Sequence, residues 1–191
     1  GFLLVFLKAI ADFSPDFVAA AFDLPAPTFR HKIYKDYKSK RPKAPRDLYS
    51  QIPIVKEILE VFGVKIFAKE GFEADDILGT IAVLANKNEG LPKASVIIIS
   101  GDLDSLQLID PDTKVYFLRK GVKDVVLYDE KAVADKFGGL TPKQITDYKS
   151  LRGDASDNIP GVKGVGDKTA AQLLLEFGTL EGIYEGIEKK S

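Results

Sequence analysis

The chain has no cysteine and no methionine. Without cysteine there is no disulfide framework and no thiolate metal site, and the cytoplasm is the default compartment. No apolar run approaches the roughly 18–20 residues needed to cross a bilayer, so no membrane association is expected. Residues 2–7 (Phe-Leu-Leu-Val-Phe-Leu) are apolar, but no basic stretch precedes them and no small-residue cleavage site follows, which argues against a signal peptide. Internal repeats and low-complexity tracts are missing too. The lack of methionine even at position 1, with an opening inside an amphipathic helix, gives the expectation of a fragment whose start lies upstream.

What is present is ordinary in bulk and uneven in detail. At 191 residues, 45% hydrophobic and 29% charged, the sequence can form one large domain or a domain with a small helical extension. Its net charge of −1 conceals a segregation. Arg30, Lys32, Lys35, Lys38, Lys40, Arg41, Lys43 and Arg46 lie in one segment with a single acid, Asp36. The acids gather elsewhere: Glu70, Glu73, Asp75 and Asp76, then Asp102, Asp104 and Asp110. A basic arm beside acidic clusters suits a polyanion substrate and bound cations.

Residues 2–11 read as a helix and Phe17–Phe22 as a buried parallel strand ending at Asp23. Residues 24–47 read as a loop or mobile arm. Leu48, Ile52, Val55, Leu59 and Phe62 recur at helical spacing, with Pro53 implying a kink or a late start. Val64–Ala68 suits a strand, and Ile77, Leu78, Ile81 and Leu84 form one face of a helix beginning near Glu73. Ser95–Ile99 is the clearest strand, ended by Gly101-Asp102. Val115–Leu118 and Val125–Tyr128 flank Gly121 as a hairpin or paired edge strands. After Asp129 the pattern is helical, with glycine-rich turns at 161–166 and a stop at Gly178. Alternation to about residue 128 followed by helices alone predicts an α/β parallel-sheet core, 1–128, and a helical subdomain, 129–191.

The chemistry lies in where the acids fall. Asp23 follows one strand, Asp102 and Asp104 another, and Glu73, Asp75 and Asp76 open a helix behind a third. Ligands of open α/β sheets bind outside the carboxyl ends of the strands, so these acids would share one crevice. Packed carboxylates repel unless hard cations sit among them, and oxygen-only ligation favours Mg²⁺ or Mn²⁺ over zinc. Two such ions about 4 Å apart can activate water and stabilise the leaving oxygen of a phosphodiester. Blander readings stay open: acids in a helix's first turn complement its dipole, and a lone Asp behind a strand is often a turn residue.

Residues 153–178 carry a second signal. Gly161, Gly164 and Gly166 form a turn leading into a helix at Thr169–Phe177, where backbone amides can approach a phosphate. Lys163 and Lys168 add charge for contacts blind to sequence. The glycine order and the missing strand in front argue against a dinucleotide fingerprint. A helix-hairpin-helix DNA clamp and a plain turn between packed helices are the alternatives.

Four blocks, AFDLPAPTFRHKIYKDYKSKR, EGFEADDIL, SGDLDSLQLI and LRGDASDNIPGVKGVGDKTA, occur in the order seen in the 5′-3′ exonuclease (5′-nuclease, flap endonuclease) domain of bacterial DNA polymerase I. Related patterns occur in phage 5′ nucleases, and the resemblance covers nearly the whole chain. It implies a PIN-like nuclease core, a helical arch around 27–47 and a helix-hairpin-helix at 153–178. Two metal ions are implied. Asp23, Glu73 and Asp75 would line the first site, and Asp102, Asp104, Asp154 and Asp157 the second, with Asp76 nearby. Lys38 and Arg41 of the Tyr-Lys-x-x-Arg pattern would contact the scissile phosphate. Arg30, Tyr37 and Lys40 belong to the same DNA-facing block. Gly161, Lys163, Gly164, Gly166, Lys168 and Thr169 would hold duplex DNA, with K⁺ at the hairpin. The partner is then DNA with 5′ flaps, nicks or branches, and the protein a monomer joined to a polymerase in its intact form.

The family opens with a strand bearing another metal-binding Asp, which this sequence lacks, so reduced nuclease activity is expected. Alternatives from other classes are a branched-DNA-binding remnant that does not cut, a PIN-type ribonuclease, and a phosphoaspartyl protein, the last leaving 153–169 unexplained.

Overall fold

The structure, a computed structural model, describes residues 1–42, 44–87, 94–120 and 124–189. Its elements in order are α1 (Phe2–Phe13), β1 (Ala19–Ala21), α2 (Phe29–Ile33), α3 (Arg46–Val61), β2 (Lys65–Phe67), α4 (Ala74–Asn86), β3 (Val96–Ser100), β4 (Thr113–Lys120), β5 (Asp124–Tyr128), α5 (Glu130–Lys136), α6 (Ile145–Arg152), α7 (Asp167–Phe177) and α8 (Leu180–Glu188). Short 3₁₀ turns cover Leu103–Leu108 and Pro142–Gln144. Among the described residues the strands form two ladders. β1 pairs with β2 in parallel, and β3 pairs in parallel with β4, which β5 borders in antiparallel. Gly121, expected between the last two strands, lies outside the described residues.

Three apolar clusters hold these pieces. Phe6 of α1, Leu59 of α3 and Val64 pack beneath the first ladder, with Ala20 and Ile66 against them. Ile98 of β3, Ala82 of α4, Leu106, Val115, Tyr128 and Val133 form the second cluster, which ties α4 to the sheet. The third joins Leu140, Tyr148, Leu151, Ala170, Leu174 and Ile183 of the helical half. Each fully buried Leu or Ile contributes roughly 1.5–3 kcal/mol; α4, whose N-terminus carries acids, packs through Ala82 and Leu78, and α6, which leads into Asp154, through Ile145, Tyr148 and Leu151.

Several expectations change in detail. The strand expected at Phe17–Phe22 is only Ala19–Ala21, and Phe17 is 94% exposed. Its partner β2 is equally short, so the ladder closes after Ala21↔Phe67. The segment 24–47 contains α2, opened by a reciprocal cap in which the Thr28 N–H donates to His31 Nδ1 at 3.1 Å. α3 begins at Arg46 and runs through Pro53, so the proline neither delays nor ends it. The helix expected from Thr169 begins at Asp167, and Gly178 ends it with φ 81°.

Candidate metal centre

The rim is built where three elements end. Asp23 directly follows the β1–β2 ladder and accepts a 2.7 Å hydrogen bond from Ala74 N in the first turn of α4. Glu73 is the N-cap of α4, and the Glu73 N–H donates to Asp76 Oδ2 at 2.9 Å in a capping box. Asp75 and Asp76 occupy the first turn, where the helix dipole favours negative charge. Behind β3, Asp102 caps the 3₁₀ turn by accepting from Asp104 N at 2.9 Å.

Asp75 reports how these acids feel one another. Burial pushes its carboxyl above the usual range, and the charges of Asp102, Asp23 and Glu73 add to that, with Lys38 partly offsetting them. Acids from behind β1, β2 and β3 therefore act on one group. Charges that near one another disfavour ionisation of the most buried member. A groove of about 460 Å³ runs alongside, lined among others by Arg30, Asp75, Asp76, Thr80, Asp104 and Gln107.

The basic segment supplies the counter-charges. Arg30 grips Asp76 with both guanidinium nitrogens, at 2.8 and 2.7 Å, and its Nη1 lies 3.8 Å from Glu73 Oε2. That contact lowers the Asp76 carboxyl and raises Arg30. Both Asp76 oxygens are thus taken. Lys38 Nζ sits 3.0 Å from each oxygen of Glu73, and the hydroxyl of buried Tyr37 donates to Glu73 Oε2 at 3.0 Å. Burial, with Glu73 next, pushes that phenol well above its ordinary range. Arg41 and Lys40 are exposed at the end of this turn, and Arg41 N donates to Lys38 O at 3.0 Å.

A second acid group lies close by. Asp104, Asp154 and Asp157 each offer an oxygen within 4.8 Å of the others. Lys149 of α6 donates to Asp154 Oδ2 at 2.8 Å and forms an ion pair with Asp104. Burial works against ionisation of Asp154, but Lys149 and Ser156 outweigh it and hold the carboxyl far below the usual range. Lys149 was not foreseen, since a lone lysine on a helix reads as a solvated side chain. Its one signal was its place five residues ahead of Asp154, just before an acid-bearing block.

Residues 154–159 form a small loop closed by paired backbone bonds between Asp154 and Ile159, 2.8 and 2.9 Å long. This loop meets the basic segment. Lys38 N donates to Asp157 O at 3.1 Å, Asn158 Nδ2 donates to Asp36 O at 2.9 Å and lies 3.2 Å from Ser39 Oγ, and Tyr34 Oη donates to Asn158 O at 3.2 Å. Asn158 too was not singled out in the sequence, though its tolerance of left-handed backbone was a clue.

The expected hairpin residues Gly161, Lys163, Gly164, Gly166, Lys168 and Thr169 sit in the turn between α6 and α7 and the first turn of α7, with the lysines and Thr169 exposed. Gly161 (φ 67°) stacks its Cα on the Arg152–Gly153 backbone, and Gly153 (φ 88°) has Ile159 O where a Cβ would come within 2.8 Å. Val162 N closes the contact on Leu151 O at 2.8 Å. Asp167 fixes the start of α7, accepting from Tyr148 Oη at 2.7 Å and pairing with Arg152.

Comparison with known proteins finds two matching families. Residues 1–138 match the family described as 5′-3′ exonuclease, N-terminal resolvase-like domain, and residues 140–191 match 5′-3′ exonuclease, C-terminal SAM fold. The chain is 42% identical over 188 residues to DNA polymerase I of Mycobacterium leprae, covering 98% of this chain and 20% of that protein. It is 44% identical over 191 residues to DNA polymerase I of Bacillus subtilis, covering 100% and 21%. A 5′-3′ exonuclease of Mycoplasma pneumoniae is 44% identical over 176 residues, 92% of this chain and 59% of that one. The chain thus spans about a fifth of the length of the polymerase relatives. In three dimensions it overlays the zinc-bound 5′-exonuclease of phage T5 with TM-score 0.79 at 22% identity, over 97% of this chain and 69% of that one. The phage T5 D15 flap endonuclease in a pseudo-enzyme-product complex with DNA and metal ions gives TM-score 0.77 at 22% identity, over 94% and 66%. At such identities the overlay speaks for the fold: a resolvase-like α/β domain with a SAM-like helical one.

Proposed function

The chain belongs to the 5′-3′ exonuclease family, and from that premise we propose that it hydrolyses phosphodiesters near the 5′ ends of flapped, nicked or branched DNA, with divalent cations held by its two acid groups. The observation that carries this reading is the convergence of acids from separate strand ends on Asp75, beside the Asp104–Asp154–Asp157 group. Carboxylate oxygens are the donors on offer, and they fit hard ions, Mg²⁺ or Mn²⁺. Asp23, Glu73 and Asp75 would hold one ion and Asp102, Asp104, Asp154 and Asp157 the other, with Asp75 between them, while Asp76, engaged by Arg30, would orient Glu73. When bound, such ions lower the pKa of water and offset charge on the phosphate oxygens.

The chain's own residues do the rest. Lys38 stands at Glu73 with its ammonium a side chain's swing from the pocket, and together with Arg41 it would meet the developing phosphate charge. Tyr37, held neutral, keeps Glu73 facing the pocket. Lys163, Lys168 and the exposed amides of the 161–169 turn would grip duplex phosphates, with K⁺ lodged among its carbonyls. We divide the chain into a nuclease core, 1–128, carrying the arch at 27–47, and a DNA-binding part, 129–191, in a cytoplasmic monomer. No helix among the described residues is long and apolar enough to cross a membrane.

A labelled 5′-flap substrate tests the proposal. Cleavage should require Mg²⁺ or Mn²⁺ and vanish in Asp102→Ala with flap binding retained. A wild-type protein that binds the flap in Mg²⁺ and never cuts it would be a DNA-binding remnant, and preferential cutting of RNA would make it a ribonuclease.

A further inference from the structure

Two non-glycine residues with left-handed backbone face each other across the site, Lys38 with φ 55° and Asn158 with φ 61°. Asparagine visits this region readily, whereas for lysine it is strained and persists only where neighbours over-determine it. The neighbours are Asp157 O, which fixes the Lys38 N–H, and the Asn158 amide, which takes Asp36 O on one side of Lys38 and Ser39 Oγ on the other. Tyr34 Oη closes the junction on Asn158 O. These contacts join segments about 120 positions apart in sequence, so nothing local would restore them. The loop they grip is the one that bears Asp154 and Asp157.

We infer that Asn158 is a positioning residue: its side-chain amide clips the 34–41 turn onto the acidic loop and so sets where the Lys38 ammonium stands relative to both acid groups. The inference rests on the proposed nuclease reading for its catalytic consequence but not for the clip itself. Lys38 spans from this turn to Glu73, so a released turn carries its ammonium away from the pocket while leaving the acids in place. The proposed duplex grip of the 161–169 turn lies outside the clip, so flap affinity should fall much less than cleavage.

Asn158→Gly and Asn158→Asp both keep the left-handed backbone available and both remove the amide donor, which separates the clip from backbone strain. In the metal-free protein, trypsin should cut after Lys38 and Lys40 at least about tenfold faster in both variants, the effect of two hydrogen bonds of about 1 kcal/mol each. Single-turnover flap cleavage should fall by about tenfold, with the Kd for flap DNA changed less than about threefold. Trypsin and cleavage rates within twofold of wild type would overturn the proposal. So would faster proteolysis with unchanged cleavage, or a loss confined to DNA affinity. If the wild-type protein itself cuts no flap, the nuclease reading fails alone, and the trypsin comparison still decides whether Asn158 holds the turn.

Discussion

The two acid groups are made of the same side chains and are kept in opposite electrical states. Around Asp75 the acids press on one another, and burial with the charges of Asp102 and Asp23 lifts its carboxyl above the ordinary range. Around Asp154 a lysine has been built in, and the carboxyl is held far below that range although burial opposes it. In the first group Lys38 and Arg30 sit on Glu73 and Asp76 and leave Asp75 facing its neighbours, a repulsion that an added cation would relieve. In the other, Lys149 sits on the Asp154 carboxylate itself, and a cation bound there would have to displace or share it. Number of carboxylates alone therefore says little about a site: where each group finds its positive charge decides what it can bind.

The contrast can be broken in graded ways. Lys38→Ala removes the cation that serves the first group from outside, and flap cleavage should fall by about 10²–10³-fold, the usual effect of deleting one donor aimed at developing charge. A fall of the same size in Lys149→Met would erase the distinction between the two lysines. Lys149→Met should instead tighten divalent-ion binding, read by titration calorimetry, by about tenfold, since one charged hydrogen bond of about 1.5 kcal/mol no longer competes. Unchanged or weaker binding would mean that Lys149 supports the acid geometry rather than standing in for an ion.

The smallest effect is the most direct. Asp75→Asn should raise the Tm of the metal-free protein at neutral pH by roughly 2–4 °C per kcal/mol of repulsion removed. The sign follows from linkage. A carboxyl raised in the folded state contributes stability below its unfolded pKa and loses it as pH climbs through the folded value. The gap between Asp75→Asn and wild type should thus open with rising pH and close below about pH 4. Asp154→Asn should behave in reverse. Its carboxyl is lowered in the folded state, so the variant is destabilised above about pH 4 and the penalty fades as pH falls. Parallel curves for the two variants would abolish the comparison.

Much of the frame could be read in advance because punctuation is local. Glu73 at the mouth of α4, Asp102 behind β3 and Gly178 after α7 announce themselves within a few residues. The β1 strand was drawn too long because apolarity does not reveal that its partner β2 offers only three residues for pairing. α2 was missed because its cap uses His31 where a Glu or Gln would have been recognised. Pro53 misled because its ring sits within the first half of α3, where the surrounding turns carry the helix past one missing donor. The site's wiring was the least legible. Arg30 meets Asp76 across 46 positions and Tyr34 meets Asn158 across 124, and such pairings are decided by how the layers pack, not by spacing.

The backbone-on-backbone contact between Gly153 and Gly161 has a practical corollary for redesign. Main-chain atoms of α6's end and of the turn that follows meet directly there, with no side chain between them. Lys163, Lys168 and Thr169 are exposed beside this contact and are not part of it. At 153 and 161 no side chain can be installed without prising the two segments apart, so a library over the exposed positions of this turn should hold those two glycines fixed.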